Sequence, residues 1–193
     1  MKFKVIILNL LSFSLAIMLP LWFFSGYEVL RENKINNKWA KKLNNQKIQA
    51  LELGYKPTYF PDILLKNKNT PKIYPIGSLP NNLSYYCDEG YGLIKYKTDR
   101  FGLRNEDERW DNIISQSNIF LIGDSFVHGA CVPDKATITK NIEKFTAQNT
   151  INLGMGSNGP YEYMAVLKTL VDPIIRNSIK SNIVGVVFYE NDN

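Results

Sequence analysis

A chain of 193 residues with 45% hydrophobic and 21% charged residues has the make-up of one globular domain of ordinary size plus an appendage, which excludes general disorder. The formal net charge of +5 is modest and local, since residues 31–47 hold Arg31, Lys34, Lys38, Lys41, Lys42 and Lys47 against Glu32 alone, and no nucleic-acid partner is expected. One histidine and two distant cysteines, Cys87 and Cys131, match no metal-ligand spacing, so no metal and no cofactor are expected; the cysteines read as two buried thiols or one disulfide.

Residues 5–24, VIILNLLSFSLAIMLPLWFF, carry no charge and have the length that spans a bilayer as a helix. They end in Trp22, Phe23 and Phe24, aromatics suited to the membrane interface, and Ser25-Gly26 is a poor cleavage site. Residues 1–27 are therefore expected to be an uncleaved single-pass membrane anchor. Lys2 and Lys4 before the span nearly balance Arg31, Lys34 and Lys38 after it, so charge alone leaves the orientation open. The basic stretch reads as a solvated helix face or as a contact with lipid headgroups.

Residues 28–53, with Leu30, Ile35, Trp39, Leu43, Ile48 and Leu51 as apolar positions, predict a juxtamembrane helix ending near Gly54. Residues 55–84 contain Pro57, Pro61, Pro71, Pro75, Pro80 and Gly77, which predicts an extended segment lying over a surface. Residues 28–84 thus form a juxtamembrane helix and linker. From Tyr85 the texture changes. GLIKYKTD alternates as a strand does, and RFGLRNEDERW follows as a loop. NIFLIG, residues 118–123, is a near-continuous apolar run, as in a strand covered on both faces. ITKNIEKFTAQ reads as a helix, TINLGM as a strand, YEYMAVLKTLVDPIIRN as a helix and NIVGVVFYE, residues 182–190, as a strand. Strand and helix alternate in this way in a parallel sheet with covering helices, and sites in such sheets lie outside the carboxyl ends of the strands. Asp124-Ser125, the glycines 154, 156 and 159, and Glu190-Asn191-Asp192 all fall at that edge.

Taken together, GDS at 123–125, the glycine turn NLGMGSNGP at 152–160 and END at 190–192 resemble the first three blocks of the SGNH (GDSL-type) hydrolase and acyltransferase superfamily. YKTDRFGLRN, residues 96–105, is similar to the segment before the first block in membrane-anchored bacterial members. The resemblance covers residues 85–193 and implies a three-layer α/β/α flavodoxin-like parallel sheet, incomplete at its C-terminus. It implies Ser125 as nucleophile, with an oxyanion held by the Ser125 amide, a glycine amide of the turn and the side chain of Asn191. Counting from Asn152 reaches Ser157, between Gly156 and Gly159, and Gly156 is taken as the donor. The activity implied is hydrolysis or transfer of O-acyl groups, O-acetyl among them, on an envelope carbohydrate or a small acylated molecule. It places the domain on the periplasmic side of the membrane, where Cys87 and Cys131 would form a disulfide.

Two departures stand against this pattern. The Asp-x-x-His block that supplies the base is absent from the 193 residues, and the glycine expected between Glu190 and Asn191 is missing, so the chain is expected to be truncated and unable to finish a catalytic cycle. His128, one helical turn from Ser125, is the sole histidine and reads as a helix or rim residue rather than a base. The rival expectation is a membrane-tethered binding module or a remnant of such an enzyme. A nucleotide-binding domain is disfavoured, because no phosphate-cradling glycine pattern follows the first strand.

Overall fold

The structure, a computed structural model, describes the backbone of residues 2–61 and 76–189, and side chains from residue 18 onward within them. The chain divides into two compact units, Met1–Gln46 and Lys47–Asn193. Helix α1 (Lys2–Glu52) makes up the first unit and continues into the second, with Pro20 inside it. It closes in a Schellman motif: Tyr55 N–H donates to the Ala50 carbonyl (2.9 Å), Gly54 N–H donates to Leu51 (3.0 Å), and Gly54 takes a φ of 82°. Glycine adopts that conformation without a Cβ penalty, and the helix ends at the predicted place. Among the described residues no helix is long and apolar enough to cross a membrane; the side chains of residues 5–17 of the uncharged stretch lie outside them.

The second unit is mixed α/β with two three-stranded sheets. In the smaller, β1 (Lys56–Pro57) pairs parallel with β2 (Leu83–Tyr85), which pairs antiparallel with β3 (Lys95–Lys97). Only Tyr96 of β3 is buried, between two exposed lysines, which is the alternation of a strand with one wet face. The proline-rich stretch does more here than lie on a surface. Thr58, Ser78 and Ser84 are buried, and the Thr58 and Ser78 backbones are hydrogen-bonded to Tyr85 and Gly102.

The larger sheet has the order β5-β4-β6, from β4 (Asn118–Gly123), β5 (Asn149–Gly154) and β6 (Asn182–Val186), all parallel. Every residue of β4 is buried, as its apolar run requires of a central strand. Its side chains alternate between two clusters. Phe120 and Ile122 join Ile151, Leu153, Tyr163, Val166 and Val171 on one face, whereas Ile119 and Leu121 join Val127, Ile142 and Val187 on the other. The first face is packed by α4 (Pro160–Val166) and the turn after it; the second by α2 (Ser125–His128) and α3 (Ile138–Thr146).

The helix predicted over 161–177 is not continuous. A π-helical turn, Leu167–Val171, separates α4 from α5 (Asp172–Asn177). Pro173 in the first turn of α5 has no N–H to give and crowds the carbonyl four residues back, which a locally widened helix relieves. The strand predicted over 182–190 is also shorter. It ends at Val186, one further bond runs from Val187 N–H to Ile122 O (2.9 Å), and Glu190 lies outside the described residues.

Candidate functional site

Strand β4 delivers Asp124 and Ser125 at its carboxyl end. Asp124 is the N-cap of the single-turn helix α2: its Oδ1 accepts from Phe126 N–H at 2.9 Å, and its carbonyl accepts from His128 N–H at 3.0 Å. Ser125 is half-buried, and its hydroxyl reaches back to Asp124 Oδ2 at 3.4 Å, a long bond that leaves Oγ only loosely held. Strand β5 runs beside β4 in register, Gly123 opposite Gly154, so the glycine turn emerges at the same edge. Ser125 and residues Gly156 to Glu162 line one cleft of about 720 Å³, with Tyr86, Asp124 and Phe188 completing its wall.

The glycines of the turn have separate reasons to be there. A Cβ on Gly154 would stand 2.3 Å from the His128 backbone nitrogen, so α2 can approach β5 only because residue 154 has none. A Cβ on Gly156 would meet the Phe60 ring at 2.7 Å. Gly156 is buried under that ring, whereas Ser157 is exposed and holds a φ of 67°, the left-handed conformation usual for glycine. Packing thus accounts for glycine at 156, and the residue reached by counting from Asn152 is the one with glycine-like backbone. Asn191, the third expected donor, lies outside the described residues.

His128 does not reach Ser125. It is fully buried and not on a rim, and its Nε2 bonds to the Tyr96 hydroxyl at 3.0 Å. Hydrogen bonding fixes the tautomer. The Thr58 hydroxyl donates its one proton to the Tyr85 carbonyl (2.9 Å), so Tyr96 must donate to Thr58 (2.7 Å) and His128 Nε2–H must donate to Tyr96. Nδ1 then carries the lone pair, buried and with no partner among the described residues. Burial, with the Arg104 guanidinium adding to it, lowers the imidazole pKa to about 3. Burial likewise pushes the Tyr96 phenol up to about 12. An imidazole held neutral in the core, its N–H committed to Tyr96, is a packing and hydrogen-bonding residue.

The segment 96–105 supports the site from behind. Arg104 is buried, stacks over the Tyr96 ring at 4.9 Å, and donates to the carbonyls of Gly129 and Val132 in the loop after α2. Asn105 reads the backbone of β5 as a neighbouring strand would, accepting from Asn152 N–H (2.8 Å) and donating to Asn152 O (2.9 Å). Asp99 is buried and accepts from Phe101 N–H, Leu103 N–H, Asn105 Nδ2 and Trp110 Nε1. A disulfide joins Cys87 to Cys131, their Cα atoms 5.1 Å apart, so the residue after Tyr86 is fastened to the loop after α2.

Sequence reasoning passed over one residue of the cleft. Asn158 is 94% buried, lines the cleft beside Ser125, and its Oδ1 has no hydrogen-bond partner among the described residues. Leaving a buried polar atom without a partner costs about 1–3 kcal/mol, which makes Oδ1 a point where a donor would be favoured. The signal was present inside NLGMGSNGP, where attention to the glycines hid the asparagine between them. Among the described residues no group of His, Cys, Asp or Glu is placed to hold a metal ion. No protein-family profile, no curated protein and no solved structure matches this chain.

Proposed function

We propose that this chain is the serine-bearing part of an SGNH-type esterase or O-acyltransferase, in which Ser125 attacks an ester carbonyl. One observation carries the reading. Ser125 opens the short helix α2 just past the end of a fully buried central strand and lines a cleft that it shares with the turn 156–160. Attack by Oγ forms a tetrahedral intermediate, expulsion of the alcohol leaves an acyl-serine, and water or a second alcohol then takes the acyl group. Backbone amides of the turn, at Ser157 or Gly156, and the side chain of Asn191 are the proposed oxyanion donors. His128 is committed to Tyr96 and is not the proposed base; Asp124, whose Oδ2 accepts from the Ser125 hydroxyl at 3.4 Å, is the described group placed to take the serine proton and return it to the departing alcohol. The clusters on both faces of the larger sheet support an α/β/α flavodoxin-like arrangement, of which β5-β4-β6 is the part described.

The same reading places the chain at a membrane. The uncharged residues 5–24 form the anchor, the exposed Trp22, Phe23 and Phe24 sit at its interface, and the domain lies on the periplasmic side, where a Cys87–Cys131 disulfide persists. Hydrolysis of 4-nitrophenyl acetate by the detergent-solubilised chain tests the proposal. Turnover or a stoichiometric burst of nitrophenol that Ser125→Ala abolishes supports it. Equal release from both proteins overturns it. The burial of His128 favours one second reading, a tethered module that uses the cleft for binding alone; an intact fold with no burst would point there.

A further inference from the structure

We infer that Asn158 is a ligand-binding residue and that the Ser125 cleft takes a neutral, hydroxyl-rich saccharide. The inference deepens the proposed ester chemistry by naming the alcohol part of its substrate, and it rests on that reading for the identity of the reacting group only.

The argument starts from the amide. Asn158 is 94% buried, its backbone N–H is satisfied by the Met155 carbonyl (3.2 Å), and its side-chain Oδ1 has no hydrogen-bond partner among the described residues. The unpaired atom is the carboxamide oxygen, an acceptor that calls for a donor. What satisfies that oxygen and also suits the amide nitrogen beside it is a group that donates and accepts. An acyl chain offers neither function. A phosphate or carboxylate offers acceptors only and would leave Oδ1 as it is. A hydroxyl offers both.

The walls agree with this chemistry. Tyr86, Tyr161 and Phe188 line the same cleft, with Pro160 as the first residue of α4, and Tyr161 is 90% exposed. Open aromatic faces beside a polar floor suit the C–H faces of a pyranose, which stack on rings while the hydroxyls at the edge bond to the floor. The charged groups lining the cleft are Asp124 and Glu162, of which Asp124 caps α2 and Glu162 accepts from Gly159 N–H (2.9 Å). Among the described residues no lysine or arginine lines the cleft, so a strongly anionic sugar meets no counter-charge from them.

The test is titration of the isotopically labelled full chain in detergent micelles with N-acetylglucosamine oligomers, following the Asn158 side-chain amide by NMR. Sodium phosphate and hexanoate serve as comparison ligands, and Asn158→Ala and Asn158→Asp as variants. The expected result is a saturable shift of the Asn158 amide with the sugar, and binding about tenfold weaker or more in Asn158→Ala, one hydrogen-bonded contact being worth that ratio. Tyr161→Ala, whose exposed ring supports no core, weakens binding as well. Shifts with phosphate or hexanoate but not with sugar overturn the inference, as does unchanged sugar affinity in Asn158→Ala. The readout needs no reactive serine. Sugar binding without any ester turnover would therefore leave Asn158 assigned and count only against the catalytic proposal.

Discussion

At the scale of single residues, His128 ties stability to pH. Its pKa falls from 6.5 to about 3 on folding, so between those values the unfolded chain binds a proton that the folded one refuses. Stability is then full above pH 6.5 and declines as pH falls towards 3, by up to about 1.4 kcal/mol per pH unit. Urea denaturation at several pH values should show this slope in the wild type and lose it in His128→Gln; equal slopes would contradict the burial account. Gly154 makes a steric prediction of another kind. A methyl at that position would stand 2.3 Å from the His128 nitrogen, a backbone atom held by Asp124, so Gly154→Ala should fail to give a cooperative melt. Gly156→Ala meets a side-chain ring that can turn aside, and should cost about 1–3 kcal/mol while the fold survives.

At the scale of elements, the loop 99–110 is organised by one carboxylate. Asp99 accepts four hydrogen bonds, from two backbone amides, Asn105 and the Trp110 indole, and it does so although burial pushes its own pKa up. Asp99→Ala would strand those donors and release Asn105 from the edge of β5, which should cost at least about 3 kcal/mol by denaturant melts. The elements legible in the sequence were those with a strong pattern: NIFLIG, whose six residues are all buried, and KYK, whose alternation is seen in β3. Gly54 marked the end of α1 because a Schellman turn needs it. What stayed hidden depends on contacts between distant residues. Nothing local in KPTYF, residues 56–60, or its neighbours announces that Thr58 closes a hydrogen-bond chain to His128, and the π turn follows from a proline that reads as an ordinary helix interruption.

At the scale of the whole molecule, the disulfide closes a loop of 44 residues that joins the small sheet to the loop after α2. Closing a loop of that length limits the unfolded chain by about 4 kcal/mol, so denaturation with and without a reductant should differ by an amount of that order. A difference near zero would mean that the two parts hold together without the bond. The site itself was legible in part. Ser125 and the glycine turn could be placed at one sheet edge because parallel strands all present their carboxyl ends there, and the structure puts them in one cleft. The roles within the turn were not legible, because Phe60, which claims the space over Gly156, comes from a distant segment. The central claim is that Ser125 is a nucleophile and not merely the first residue of a short helix. Labelling the native protein with an active-serine fluorophosphonate and mapping the adduct by peptide mass tests it most directly. The account predicts one adduct, on Ser125, absent from Ser125→Ala and from unfolded protein. An intact fold with no adduct, or an adduct elsewhere that survives Ser125→Ala, would contradict it.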